Sequence, residues 1–105
     1  RRQRQMCIRD RVDTNCRYRQ GEIDIIAQKR GYIVFVEVKL RKNSAFGEAR
    51  EFVTYAKQQR VIMAAQLWLQ SHETELQPRF DVIEVYAPDG VSSRKVSINH
   101  IENAF

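Results

Sequence analysis

Asp24, Glu37 and Lys39 are the residues of this 105-residue chain whose types and spacing could do chemistry. Twelve residues separate Asp24 from Glu37, and Lys39 follows Glu37 by two. Two carboxylates brought side by side make a small hard-cation site. Mg²⁺ takes one or two carboxylates, keeps several waters and accepts oxygen from a phosphate. The backbone carbonyl of Val38, between Glu37 and Lys39, is a natural third protein ligand. Such an ion activates a water and neutralises charge on a phosphodiester in the transition state. Lys39 would orient that water or stabilise the pentacovalent phosphate. The plainer alternative is a surface ion pair, Glu37 with Lys39, next to an unrelated Asp, and such pairs contribute little. Against it stands the apolar character of the residues before Glu37. Two like charges set there without a cation would repel one another at a partly buried site.

The elements that must position these residues are regular after Gly21. Glu22–Ala27 is short and β-branched and predicts a strand. Gln28–Gly31 supplies a turn, and Tyr32–Leu40 follows as a second strand, apolar on both faces for most of its length. A strand of that kind belongs in the middle of a sheet covered by helices. The even-length gap predicts a β-hairpin in which Glu22, Asp24 and Ile26 share a face with Ile33, Phe35, Glu37 and Lys39. Residues 41–51 read as a polar loop. Thr54 is placed to cap a helix over Tyr55–Gln70, whose apolar stripe is Val61, Ile62, Ala64, Ala65, Trp68 and Leu69. Lys57 and Gln58 continue that stripe toward the helix N-terminus. Two polar residues on a buried stripe suggest a cleft at the strand ends. Arg79–Tyr86 predicts a third strand, Ala87–Gly90 a turn, and the region around Arg94–Ile98 a fourth strand. The order is β-β-α-β-β.

Charge is unevenly distributed. Of the formal net charge of +5, residues 1–20 carry all: seven Arg against Asp10 and Asp13. An Arg-rich arm could track a polyanion such as nucleic acid, or be a solvated tail with no partner. The segment has neither helical nor strand periodicity, so residues 1–14 are set outside a single domain expected over 15–105. Cys7 and Cys16 lack metal-site spacing and are expected to be free thiols. No apolar run approaches the ~18 residues of a membrane span, and no charged-then-apolar leader is present. A soluble cytoplasmic domain with no membrane partner is the expectation. Trp68 and the two histidines, His72 and His100, are expected to be packing and surface residues. Asp81 could approach the site or serve as a cap. Arg41, Lys42 and Lys57 are the basic residues near the cleft that could hold nucleic-acid phosphates.

The combination Asp24, Glu37-Val38-Lys39 resembles the core of the PD-(D/E)xK nuclease superfamily. Gly21–Ala27 with Val34–Lys39 more specifically resembles the YraN-like bacterial family. Phe46-Gly47, Lys57-Gln58, the Arg79–Val82 strand and the closing His100–Phe105 fit it too. The resemblance covers roughly residues 15–105. It implies an α/β restriction-endonuclease-like fold with a mixed four- to five-stranded sheet packed by a central helix. It also implies Asp24 and Glu37 as ligands of Mg²⁺ or Mn²⁺, Lys39 as the catalytic lysine, and Gln58 as a polar helix residue near the site. DNA, branched or structured, is the substrate this suggests. The resembling families open with a helix carrying a Glu, and no Glu precedes Glu22 here. A nucleic-acid-binding module that keeps the fold without turnover is therefore the alternative. A sheet face left uncovered would also admit a second copy of the chain as partner.

Overall fold

The computed structural model describes residues 11–41, 53–87 and 96–105. Among these, five strands and one helix form a mixed α/β unit: β1 (Arg11–Tyr18), β2 (Gly21–Lys29), β3 (Tyr32–Arg41), α1 (Tyr55–Ser71), β4 (Gln77–Tyr86) and β5 (Ser97–Ile101). The strands lie side by side in chain order. β1, β2 and β3 form an antiparallel meander, β3 and β4 run parallel, and β5 returns antiparallel to β4. A parallel pair cannot be closed by a tight turn. The connection between β3 and β4 carries α1, which lies on one face of the sheet.

The helix forms where its sequence asks for it. The Thr54 hydroxyl accepts a hydrogen bond from the backbone N–H of Lys57 at 3.2 Å, which caps one otherwise unpaired amide of the first turn. Val61, Ala64, Ala65 and Trp68 form the buried stripe. They meet Ile23, Ile26, Ile33 and Phe35 of the sheet. A chain of rings runs through this core. Trp68 meets Phe35 edge-on at 5.9 Å, Phe35 stacks on Phe80 at 5.5 Å, and Phe80 stacks on Phe105 at 5.2 Å. The C-terminal residue is thereby tied to the middle of the sheet. Trp68 also stacks on His72 at 4.0 Å, so both residues serve packing, in line with the sequence expectation.

The turn between β2 and β3 is tighter than the sequence suggested. Pairing continues to Lys29 opposite Tyr32, which leaves only Arg30 and Gly31 in the turn. Both have positive φ, 48° and 88°, the backbone that a two-residue hairpin requires. Four residues and two are both even, so the pairing parity is unchanged and Ile26 sits opposite Phe35.

Three expectations need correction. The first concerns the N-terminal boundary. β1 begins at Arg11 and pairs along β2, so it crosses the division expected between residues 14 and 15. This strand is polar, and its alternation is broken at Asn15, whose φ is 50°. Asp13 pairs with Ile26 and Cys16 with Ile23, and Cys16 and Tyr18 pack on the core. The Cys16 thiol donates to Asp13 Oδ2 at 3.2 Å. Burial, then this bond, pushes its pKa up to about 11, so it is a protonated thiol at neutral pH. Cys7 lies outside the described residues.

The second correction concerns the faces of β2. Strict alternation would put Glu22, Asp24 and Ile26 together, yet Ile23 and Ile26, three apart, are both in the helix-facing core. The change of face falls near Asp24, opposite Asn15, while the β1–β2 register runs unbroken from Asp13 to Tyr18. Gly21 faces the helix so closely that a Cβ there would collide with the Arg60 carbonyl. The third concerns β5, which occupies Ser97–Ile101 rather than Arg94–Ile98. Its position is set by His100, whose Nε2 lies 2.7 Å from Asp81 Oδ2. The 41–51 loop beyond Arg41, Phe46-Gly47 and the turn beyond Ala87 lie outside the described residues.

Asp81 is the structural anchor of this side. It is fully buried, and receives Arg79 Nε at 2.9 Å, Arg79 Nη2 at 2.8 Å and the Asn103 N–H at 3.0 Å in addition to His100. Burial alone would raise its pKa. The hydrogen bonds from Arg79, Asn103 and His100 outweigh burial and hold the carboxyl below its ordinary range.

Two measurements check this account. Gly21→Ala must push backbone against backbone and is expected to lower stability by about 1–3 kcal/mol in urea denaturation. Asp81→Ala strands Arg79 and His100 and is expected to cost about 3 kcal/mol or more. An acid with a depressed folded pKa stabilises above its unfolded value and loses that contribution as pH falls through the folded one. The Asp81→Ala deficit should therefore shrink on acidification below the ordinary carboxylate range.

Candidate metal centre

The β2–β3 ladder runs from Lys29 opposite Tyr32 only as far as Ile25 opposite Val36. The next position on β2 is Asp24, and there a side chain replaces the main chain. Asp24 Oδ2 accepts the Val38 N–H at 2.8 Å. The ladder stops where the buried face of β2 changes, and a carboxylate spans the gap. Asp24 and the Glu37-Val38-Lys39 segment are thus brought together, as the sequence predicted, but through a break in the hairpin rather than through a continuous shared face.

Glu37 stands on the same side of β3 as Phe35, facing the helix. It is only 9% exposed. Its Oε1 is buried and has no hydrogen-bond partner among the described residues. Its Oε2 lies 3.7 Å from Lys57 Nζ, and the same Nζ lies 3.5 Å from Glu22 Oε2. Lys57 reaches both because the Thr54 cap starts the helix one turn before its apolar stripe. Lys39 is half-buried two residues along from Glu37, and its charge also acts on Glu37. Burial first, and then the neighbouring Asp24, hold the Glu37 carboxyl above its ordinary range, against the opposing pull of Lys57 and Lys39.

The other residues singled out in the sequence fare differently. Gln58 Nε2 donates to the Val53 carbonyl at 3.0 Å, and the side chain lines a small cavity with Val82, Ile101, Ala104 and Phe105. It secures the approach to the helix rather than the carboxylates. Arg41 turns onto Glu84, with Nε 3.0 Å from Oε2 and its side chain 10% exposed. That engagement sets it apart from cleft residues open to a phosphate. Lys42 lies outside the described residues. Lys57 is at the cleft, paired with carboxylates. Glu84 was not singled out from sequence. It is 3% exposed and also takes Tyr86 Oη and Asn99 Nδ2, both at 3.1 Å. Its signal was available: even positions of β4 face the helix, so Glu84 must be buried beside Glu37 and Lys39.

Among the described residues no three His, Cys, Asp or Glu side chains gather closely enough to hold an ion by themselves. The donor set offered is smaller: the Asp24 and Glu37 carboxylates with the Val38 carbonyl beside them. This is a set that Mg²⁺ accepts, with waters completing the shell. The orphaned Glu37 Oε1 fits it. A buried carboxylate oxygen without a donor is costly, and a cation is a partner that removes that cost.

The chain belongs to uncharacterised protein family UPF0102, whose model matches residues 4–85. It is 45% identical over 96 residues to a UPF0102 protein of Caldanaerobacter subterraneus, a match covering 90% of this chain and 77% of that protein. A UPF0102 protein of Alkaliphilus oremlandii is 47% identical over 97 residues, covering 90% and 80%. One from Vibrio parahaemolyticus is 46% identical over 95 residues, covering 89% and 74%. The family match reaches into the Arg-rich segment that the sequence reading had set outside the domain. Among the described residues no helix is long and apolar enough to cross a membrane.

The Glu37 environment has a measurable consequence. An acid whose folded pKa is raised binds its proton more tightly when folded, so its contribution to stability is lost as pH rises through the folded value. Glu37→Gln is therefore expected to melt higher than the wild-type protein at pH 7. The difference should close as pH falls below the ordinary carboxylate range.

Proposed function

We propose that this chain is a metal-dependent phosphodiesterase of the PD-(D/E)xK, restriction-endonuclease-like kind, acting on DNA and in particular on branched or structured DNA. The observation that carries the reading is the buried Glu37 carboxylate, with one oxygen unpartnered, set against Asp24 at the point where β2 and β3 separate. Mg²⁺ or Mn²⁺ bound there supplies a water of lowered pKa and neutralises charge on the phosphate. Asp24 and Glu37 would hold it, with the Val38 carbonyl. Lys39, rooted on the Glu37 face, orients the attacking water and stabilises charge gathering on the phosphate oxygens. The Asp24–Val38 bond fixes the carboxylate against the main chain that carries both other groups. Glu37 and Lys39 lie in the C-terminal half of β3, parallel to β4, and the C-terminal ends of parallel strands are the usual place for a site in an α/β sheet.

One observation favours a second reading, a DNA-binding module without turnover. Lys57 lies on both Glu22 and Glu37 and partly supplies the positive charge that a cation would bring.

The test is incubation with linear, nicked and four-way DNA in Mn²⁺, with and without EDTA. Asp24→Asn and Lys39→Ala are each expected to lower cleavage by about 10²-fold or more, the scale of losing one electrostatic or proton-transfer element. EDTA should abolish cleavage. Activity that survives both substitutions overturns the nuclease reading. Salt-sensitive binding with no product in Mn²⁺ supports the binding module.

A further inference from the structure

A row of polar side chains crosses three strands next to the carboxylate cluster. Lys39 on β3 lies in register with Glu84 on β4, and Glu84 with Asn99 on β5. The following row is Arg41, Tyr86 and Ser97. Residues in register share a face, so Lys39 has two carboxylates within reach of its long side chain. Glu84 is rooted about 4.8 Å away on the adjacent strand, whereas Glu37 is rooted two residues along its own strand, about 6.6 Å away. Distance alone would hand the lysine to Glu84.

It does not go there. The ion pair at Glu84 is made by Arg41 at 3.0 Å. Tyr86 Oη and Asn99 Nδ2 donate to the other oxygen, each at 3.1 Å. Glu84 is 3% exposed, so these three donors satisfy a carboxylate that would otherwise need a new counter-ion. Among the described residues Lys39 makes no ion pair with either carboxylate, since Lys57 takes Glu37 and Arg41 takes Glu84. The two neighbouring carboxylates thus differ in one respect. Glu84 has donors on both oxygens, while Glu37 has a buried oxygen with none.

We propose that Arg41, with Tyr86 and Asn99, saturates Glu84 so that Lys39 is left available to the Glu37 end of the cleft; Arg41 is a positioning residue for the lysine. The role assigned to the lysine rests on the nuclease reading, but the direction in which it points does not. This also accounts for Arg41 being drawn inward at the end of β3, although it is a basic residue beside a site meant for a polyanion. Loss of its charge leaves Glu84 a buried anion, and Lys39 is the lysine in register with it on the adjacent strand.

The experiment measures lysine-specific acylation site by site with mass spectrometry, on the whole chain without metal, alongside Mn²⁺-dependent cleavage. In Arg41→Gln, Lys39 should be acylated severalfold more slowly than in the wild-type protein, relative to Lys29 as internal reference. Cleavage should fall by about 10²-fold, the cost of a misplaced catalytic group. Adding Glu84→Gln to Arg41→Gln removes the competing anion and should restore both the acylation rate and most of the cleavage. A merely structural role for Arg41 would predict no such rescue of Lys39 reactivity. Should Arg41→Gln fail to fold, as judged by its thermal melt, Tyr86→Phe combined with Asn99→Ala frees one Glu84 oxygen with Arg41 in place. It should slow Lys39 acylation in the same direction. Unchanged Lys39 acylation in whichever of these variants is folded overturns the proposal, as does a double variant that stays slow. Wild-type protein that fails to cleave any DNA counts against the nuclease reading, while the acylation rates still decide where Lys39 points.

Discussion

A single hydrogen bond, from the Val38 N–H to Asp24 Oδ2, replaces the sheet at the point where β2 and β3 part. Everything else at the candidate site depends on that substitution. Had the ladder continued, Asp24 would have stood on a flat, fully paired sheet and Glu37 would have been covered by an intact neighbour. The β2–β3 pairing ends at Ile25, and β2 continues to Gly21, which is pressed against α1. The gap this opens is lined by Glu22, Asp24 and Glu37. The side chain of Asp24 keeps it from leaving a main-chain donor unpaired.

Concentrating three carboxylates there is costly, and the helix offsets only part of it. Thr54 sets the first turn so that Lys57 falls between Glu22 and Glu37, but one oxygen of Glu37 remains without a donor. Among the described residues two other carboxylates are buried, and the contrast is informative. Asp81 is met by Arg79, His100 and Asn103, and Glu84 by Arg41, Tyr86 and Asn99. Both sit below their ordinary pKa range, where donor bonds outweigh burial. Glu37 sits above its range, because burial and Asp24 outweigh two lysines. A buried acid whose environment opposes its charge is stabilising for neither fold nor sheet, and unsatisfied groups of this kind concentrate where a ligand completes them.

The remaining structure holds this arrangement rigid. Phe35 lies directly before the Val36-Glu37 step and is clamped between Trp68 of the helix and Phe80 of β4, which in turn carries Phe105. The parallel register of β3 and β4 then places Glu37, Lys39 and Arg41 beside Val82, Glu84 and Tyr86. Membership of UPF0102 places this chain among relatives of which it spans about three quarters to four fifths.

Local patterning was enough to reveal much of this from the amino-acid sequence. Thr54 and the stripe from Val61 to Trp68 specify the helix, because capping and helical period act within one turn. The doubly apolar β3 had to be a central strand, and an even loop length kept the same parity of facing residues whether the turn held four residues or two, although only the two-residue turn sets Ile26 opposite Phe35. Hence Asp24, Glu37 and Lys39 could be named together. What the sequence concealed depended on events across strands. β1 is a polar strand whose alternation is interrupted by a left-handed Asn15, so no period marks it. The change of face in β2 at Asp24 goes with the packing of both Ile23 and Ile26 in the core under one helix. The fates of Arg41 and Glu84 were settled only when parallel pairing with β4 put them side by side. Residue type told which groups could carry charge; tertiary structure decided which charges were already satisfied, because that depends on neighbours on other elements, as far as 43 positions away for Arg41 and Glu84.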